Sequence, residues 1–303
     1  MALPADVELR TGPPAACDDI GGTAAELVAC GSLEMGAGSP QEARGIAGML
    51  PAGTPVYVNH LPRRSLAHTL PTLMALAEAG LDPVPHVAVR RITSRTEARA
   101  FLGQAVRLAG VRKVLLVGGD LAKPLGPYAE AAALLREGLL ADCGLSQVGL
   151  PSYPEGHPRI PTASLDAALA EKLDLVRQQG LGAYVATQFS FAPSRIIEHC
   201  VDLARRAPDV AVYVGLAGPT SPRTLLRYAQ RCGVSASLRA LQAQGMGAVR
   251  LFTHVDPTDQ LVALARHVRS GSVSNVVGVH LYSFGGVAAA AGWMNARITA
   301  RRG

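Results

Sequence analysis

Short apolar runs alternate with longer amphipathic segments along most of the chain, from about residue 28 onward. The short runs end in glycine, proline or polar loops, which is typical of buried parallel strands. They predict the strands Cys30–Met35, Pro55–Asn59, Val84–Val89, Val114–Val117, Gln147–Leu150, Ala183–Gln188, Val210–Leu216 and Val276–Tyr282. A further run, Ala248–Thr253, is assigned to a helical segment, because eight strands close a barrel and nine do not.

The segments between the strands carry helix start and stop signals. Ser94 and Glu97 form a capping box ahead of Ala98–Leu108. Proline stands at the start of two further predicted helices, in Ser221-Pro222 and in Asp256-Pro257 before Leu261–Val268, and Gly233 ends the first of them. Another predicted helix carries an apolar stripe made of Leu165, Leu169, Leu173 and Val176. The alternation predicts an α/β fold, a single (β/α)8 TIM barrel over residues 28–303. Residues 1–27, rich in Gly, Pro and Ala, are expected to form an irregular N-terminal arm.

The net charge and the distribution of basic residues limit the kinds of partner that the protein can bind. The chain has 303 residues and a net charge of +6, and its basic residues are scattered as pairs such as Arg90-Arg91 and Arg205-Arg206. A nucleic-acid groove would need a concentrated basic stripe, so no nucleic-acid partner is expected. The moderate excess of basic over acidic residues fits a protein that binds anionic small molecules. It is also compatible with a homo-oligomer.

Cysteine use and hydropathy indicate a cytoplasmic protein. Five cysteines lack CxxC spacing and predict reduced thiols. Asp6 and Glu8 interrupt the N-terminus, so no signal peptide is expected. The longest apolar stretch, Val276 to Met294, is broken by His280 and Gly285-Gly286, so a membrane span is not expected either.

Three polar residues stand where apolar runs end, and each is a candidate for chemistry. Glu34 ends the first run, and a carboxylate there is either a structural ion pair or, with a raised pKa, a general acid. Asp120 follows Gly118-Gly119, where it caps a turn or steadies a developing cation. Gln188 ends the sixth run, and its amide suits either a planar heterocycle or a loop backbone.

Other known site patterns are absent from the sequence. None of the eight histidines stands at HExxH or His/Cys ligand spacing, so no metal site is expected. The chain has no GxGxxG or GxxxxGK[ST] pattern, so neither a Rossmann nor a P-loop phosphate site is indicated.

Several motifs, taken in chain order, resemble one family. They are Ser32-Leu33-Glu34, Pro85-His86, Val117-Gly118-Gly119-Asp120, Tyr128-Ala129, Tyr153-Pro154-Glu155-Gly156-His157-Pro158 and Ala186-Thr187-Gln188-Phe189. Together they are similar to the methylenetetrahydrofolate reductase family, from about Ser32 to Tyr282. The resemblance implies a (β/α)8 barrel, a non-covalent FAD and NAD(P)H as electron donor. It also implies the interconversion of 5,10-methylene- and 5-methyltetrahydrofolate.

The resemblance also implies roles for individual residues. Glu34 is similar to the general acid that opens the folate ring, and Asp120 to the carboxylate near flavin and pterin. Gln188 is similar to the residue that hydrogen-bonds the pterin. The remaining positions resemble flavin contacts, the last two by their spacing from His157: His86, Gly118, Gly119, Tyr128, Ala129, Tyr153, His157, Asp166 and Lys172.

The chain departs from the family pattern at the barrel mouth. The family usually has Thr-Tyr-Gly-Ala where this chain has Val58-Asn59-His60-Leu61, and usually an Arg where this chain has Gly118. The family's Phe-Glu-Phe-Phe-Pro-Pro is replaced by residues 33–38, and residues 215–219 lack the aromatic expected beside folate.

Three other functions remain open on the sequence. The first is a member that runs in the oxidative direction in one-carbon catabolism, which the same residues would serve. The second is a folate- or flavin-binding partner subunit without turnover, against which Glu34, Asp120 and Gln188 together argue. The third is a methyl-transferring pterin barrel, which would need a corrinoid partner or a zinc-thiolate site that the scattered cysteines do not offer.

Overall fold

Eight parallel strands pair in chain order and close into a barrel in the computed structural model, which describes residues 19–36, 39–234 and 256–300. The closure joins β8 to β1. The strands are β1 Ser32–Met35, β2 Pro55–Val58, β3 Asp82–Ala88, β4 Lys113–Val117, β5 Gln147–Ser152, β6 Gly182–Thr187, β7 Ala211–Ala217 and β8 Val276–Tyr282. The predicted (β/α)8 barrel and all eight of its strands are confirmed. Ala248–Thr253 lies outside the described residues.

Helices cover the outside of the barrel. They are α1 Ile20–Ala29, α2 Pro40–Gly45, α3 Leu70–Glu78, α4 Arg95–Ala109, α5 Ala131–Arg136, α6 Leu139–Asp142, α7 Thr162–Gln178, α8 Pro193–Arg206, α9 Pro222–Cys232, α10 Thr258–Arg269 and α11 Val287–Thr299. Short 3₁₀ turns span Ala47–Met49, Leu66–Thr69 and Val89–Arg91. Within the described ranges, no helix has both the length and the apolar character needed to cross a bilayer.

The predicted capping signals operate in the structure. The Ser94 hydroxyl accepts a hydrogen bond from the Glu97 backbone N–H at 3.1 Å, at the start of α4. The Glu97 carboxylate reaches one residue further back than a standard capping box and accepts from the Thr93 N–H at 2.7 Å. Gly233 ends α9 in the left-handed region at φ 78°, where glycine carries no Cβ penalty.

The expectation of an irregular arm over residues 1–27 is wrong from Ile20 onward, where α1 begins. The Asp19 carboxylate caps this helix by accepting from the Gly22 N–H at 2.6 Å. Leu27 and Val28 are buried. Burial of that apolar face against the barrel outweighs the low helix propensity of Gly21 and Gly22. Residues 1–18 lie outside the described part of the chain.

The barrel interior is filled by aromatic side chains as well as aliphatic ones. The Tyr57 hydroxyl donates to that of Tyr184 across the barrel at 2.8 Å, and the Tyr184 ring meets Tyr213 edge to face. A Cβ on Gly149 would lie 2.4 Å from the Tyr184 ring, so only glycine leaves room for this tyrosine. These rings close the centre of the barrel and leave open space toward the carboxyl ends of the strands.

Candidate active site

Glu34 lies inside the barrel mouth on β1, between two histidines from other strands. Its Oε2 is 3.7 Å from Nε2 of His86 on β3 and 3.8 Å from Nε2 of His280 on β8. Its Oε1 accepts a 2.9 Å hydrogen bond from the Asn59 amide, just beyond β2. Neighbouring strands β8, β1, β2 and β3 thus place one carboxylate, two imidazoles and one amide together.

The charge state of Glu34 decides between the two alternatives that the sequence left open. Burial alone raises its pKa, but His280, His86 and the Asn59 hydrogen bond act in the opposite direction and leave the pKa below its usual value. Of the two alternatives that the sequence left open, the raised pKa is therefore not found, and Glu34 is ionised at neutral pH. Burial lowers the pKa of His86 to about 4, although Glu34 partly opposes this shift, so this imidazole is neutral.

His280 is held from the opposite side of its ring. Its Nδ1 lies 2.8 Å from the Ser32 hydroxyl, and its side chain is fully buried. The ring also meets Tyr57 edge to face, with 4.6 Å between the ring centres. These contacts fix the ring plane and aim Nε2 at Glu34. Among the residues that the structure describes, neither this Nε2 nor that of His86 has a hydrogen-bond partner.

A cavity of about 250 Å³ opens next to the cluster. Glu34, His86 and Gln188 all line it, so two of the three predicted chemical residues meet at one site. The Gln188 side-chain oxygen accepts from the Phe189 N–H at 3.1 Å, which is the loop-backbone bond considered from the sequence. Five aromatic residues complete the wall: Tyr153, Phe189, Tyr228, Tyr282 and Phe284.

A larger cavity of about 1040 Å³ lies beyond the ends of β4, β5 and β6, beside α7 and α8. The two cavities share Pro151, Ser152 and Tyr153 as lining residues, so they are neighbours. Eight of the positions that resemble flavin contacts line the larger cavity: Gly118, Gly119, Asp120, Ala129, Tyr153, His157, Asp166 and Lys172.

Asp120 faces this larger cavity and not Glu34. Its carboxylate pairs with the guanidinium of Arg91, which follows β3. Gly119 before it has φ 92°, a left-handed conformation that explains the glycine at this position. The predicted acid and the predicted anion therefore lie in two adjoining cavities, with Gln188 on the side of the acid.

Two positions that resemble flavin contacts lie elsewhere. His86 lines the smaller cavity beside Glu34. Tyr128 is buried in the core, and its hydroxyl donates to Glu137 at 2.8 Å. Burial, followed by the neighbouring Glu137, raises the Tyr128 pKa to about 12.

The structure adds residues that the sequence reasoning missed. His280 was noted only as an interruption of an apolar stretch, and Asn59 only as a departure from a family motif. Phe284 has φ 49°, an uncommon conformation for a non-glycine residue, and its ring meets Phe189 with 5.1 Å between centres. Successive side chains of a strand point to opposite faces. This rule could have shown that Ser32 and Glu34 on β1, and His280 and Tyr282 on β8, all face the interior.

No protein-family model matches the chain. Among solved structures, it is similar to 7,8-dihydropteroate synthase from Vibrio fischeri ES114, at 10% identity, TM-score 0.46, and coverage of 90% of this chain and 92% of that one. It is also similar to N-acetylneuraminate lyase from Fusobacterium nucleatum, at 11% identity, TM-score 0.43, and coverage of 87% and 71%. A third similar structure is the sialic acid aldolase of Ruminococcus gnavus, at 14% identity, TM-score 0.43, and coverage of 61% of each chain. No conclusion on substrate or activity follows from likenesses at this level.

Proposed function

We propose that this chain is an oxidoreductase that interconverts 5,10-methylene- and 5-methyltetrahydrofolate, with FAD as cofactor and NAD(P)H as co-substrate. The proposal rests on the resemblance of its motifs to the methylenetetrahydrofolate reductase family. One structural observation supports it above all. Glu34 and Gln188, which come from distant parts of the sequence, line one cavity next to the larger cavity that holds most of the flavin-like positions.

The larger cavity fits the cofactor. Its volume of about 1040 Å³ suits a large ligand. A Cβ on Gly118 would meet no atom within 4 Å, so glycine there leaves space for a flat ring beside the backbone. Among the described residues lining this cavity, the side chains of Arg159 and Lys172 make no ion pair and can meet a diphosphate. When bound, the flavin supplies a ring that carries hydride between the nicotinamide and the folate carbon.

The smaller cavity fits the pterin end of the folate. The Phe189, Tyr282 and Phe284 rings form an apolar wall for a planar heterocycle. The oxygen of Gln188 is engaged by the backbone, so its amide nitrogen is the group that can donate to a pterin acceptor. The Tyr282 hydroxyl donates to the Thr187 carbonyl at 3.0 Å, which fixes the ring next to Gln188.

Glu34 moves the proton in this scheme. In the reductive direction it donates to the folate nitrogen that leaves the one-carbon bridge as the five-membered ring opens. A pterin in the cavity excludes water, and this favours the protonated carboxyl over the ionised form found in the structure. In the oxidative direction the carboxylate accepts the same proton as the ring closes. Asn59 orients the carboxylate in both directions.

The test follows each half of the reaction separately. Full-length protein is loaded with FAD and mixed anaerobically with 5-methyltetrahydrofolate, then in a second experiment with NADH or NADPH. We expect methyltetrahydrofolate to bleach the visible flavin absorbance, and one nicotinamide to bleach it faster than the other. A spectrum that stays unchanged with methyltetrahydrofolate would contradict the proposed function. A protein that binds FAD and folate but is reduced by neither donor would be the partner subunit considered from the sequence.

A further inference from the structure

We propose that Glu34, His86 and His280 bind one divalent transition-metal cation at the barrel mouth. The three donor atoms come from β1, β3 and β8 and all lie within 4.8 Å of one another. The two distances from Glu34 Oε2 are 3.7 and 3.8 Å. Metal–ligand bonds of about 2.0–2.2 Å separate neighbouring donors by roughly 3.0–3.6 Å, so the two Glu34–histidine distances are long by only a few tenths of an ångström. The histidine pair, within the 4.8 Å limit, closes by about an ångström at most.

The state of the two imidazoles supports this assignment. Nε2 of His280 and Nε2 of His86 are buried and have no hydrogen-bond partner within the described ranges of the chain. A buried polar atom without a partner is costly, and a pair of them facing one carboxylate oxygen requires an explanation. At 3.7 and 3.8 Å the contacts to Glu34 are too long for hydrogen bonds. A cation between the three atoms would satisfy all of them.

Hydrogen bonds from residues outside the cluster orient two of the three proposed ligands, His280 and Glu34. When Nδ1 of His280 donates to the Ser32 hydroxyl at 2.8 Å, Nε2 carries the lone pair that a metal needs. The Asn59 amide holds the other oxygen of Glu34 at 2.9 Å and leaves Oε2 for the cation. Such second-sphere hydrogen bonds orient ligands in known metal centres.

The ligand set indicates both the class of metal and its role. Two imidazoles and one carboxylate suit zinc and the neighbouring divalent metals and are a poor match for calcium or magnesium. Three protein ligands beside an open cavity of about 250 Å³ leave a coordination position for water or a ligand oxygen. This open position distinguishes the site from a closed structural metal site and allows a bound cation to control access to Glu34.

This inference does not rest on the proposed folate activity, and the two can fail separately. A cation on Glu34 would withdraw the carboxylate that the folate reaction needs. We therefore expect Zn²⁺ to inhibit methyltetrahydrofolate oxidation and a chelator to restore it. Metal binding itself is measurable without folate or flavin.

The experiment uses the full-length protein, freed of metal with a chelator and then titrated with Co²⁺. We expect a visible Co²⁺ absorption that saturates at one ion per chain and disappears when Zn²⁺ is added. Glu34→Gln, His86→Gln and His280→Gln should each weaken binding by more than about 100-fold, since loss of a ligand costs more than loss of an outer partner. His267→Gln is the matched control, because His267 is also buried with an unpartnered Nε2 but lies outside the cluster.

Two results would overturn the proposal. One is a wild-type protein with no saturable Co²⁺ absorption. The other is Co²⁺ binding that His86→Gln and Glu34→Gln leave as strong as in the His267→Gln control. Thermal unfolding of each variant checks that it folds. If His280→Gln does not fold, the other two variants still decide the question, since His86 and Glu34 lie at the cavity surface.

Discussion

The Ser32 hydroxyl lies 2.8 Å from Nδ1 of His280, and the two residues face each other in register where β1 and β8 close the barrel. Both side chains are buried. One hydrogen bond therefore links barrel closure to the orientation of an imidazole at the candidate site. A change at Ser32 should affect both stability and the site.

Ser32→Ala should destabilise the fold by about 1–3 kcal/mol, because it leaves a buried ring nitrogen without its partner. Urea unfolding monitored by circular dichroism measures the free energy of unfolding. Ser65→Ala is the control, since Ser65 is exposed and its side chain makes no capping hydrogen bond. Equal stability of the two variants would show that the Ser32–His280 bond contributes nothing.

Gly149→Ala should destabilise the barrel by about 1–3 kcal/mol or more through overpacking. The new Cβ would stand 2.4 Å from the Tyr184 ring, which is itself tied to Tyr57. Gly103→Ala is the matched control: it lies within α4, and a Cβ there meets nothing within 4 Å. That variant should gain roughly 0.5–1 kcal/mol from helix propensity. In chemical unfolding, the free energy of unfolding should fall in Gly149→Ala and rise in Gly103→Ala. A change in the same direction in both variants would contradict the packing described.

The sequence was sufficient to predict the barrel because its local signals agree. Each of the eight apolar runs predicted as strands is a strand, and the caps at Ser94 and Ser221 lie where helices begin. Helix α1 was missed, since its glycines weaken the local pattern while its stabilisation comes from tertiary burial of Leu27 and Val28.

The candidate site was predicted only in part. Glu34 and Gln188 were found because each ends an apolar run. The contact of Glu34 with His280 depends on closure of β8 onto β1, which joins residues about 250 positions apart, so no spacing rule could show it. The contact with His86 depends on the register of β1, β2 and β3. The choice between an ionised Glu34 and one with a raised pKa could not be made from the sequence for the same reason. Its neighbours outweigh the burial that the sequence alone suggests.

Acid should destabilise the protein in part through His199. Burial, followed by the nearby Arg206, lowers the pKa of His199 to about 4 from its ordinary value of 6.5. The unfolded chain therefore binds a proton between pH 6.5 and 4 that the folded chain rejects. The stability that neutral His199 contributes is fully present above pH 6.5. As the pH falls toward 4 this stability is lost, and the free energy of unfolding decreases by up to about 3 kcal/mol.

His199→Gln should flatten that part of the pH dependence and leave stability at pH 7 nearly unchanged. Glutamine can still reach the Ser152 hydroxyl, which lies 2.9 Å from Nε2 of His199. Unfolding free energies measured at several pH values between 7 and 4 test this. The exposed residue His68 provides the control substitution, His68→Gln. If both variants follow the wild-type pH dependence, His199 is not a source of acid sensitivity.

Proton transfer by Glu34 is tested by comparing the two half-reactions of the Glu34→Gln variant. Glutamine preserves the acceptor for Asn59 but cannot transfer a proton. We expect NAD(P)H to reduce the bound flavin at nearly the wild-type rate, because Glu34 lines only the smaller cavity. We expect the folate half-reaction to slow by about 10²–10⁴-fold, the usual contribution of a positioned acid–base group. Equal loss of both half-reactions, or an unchanged folate rate, would rule out proton transfer by Glu34.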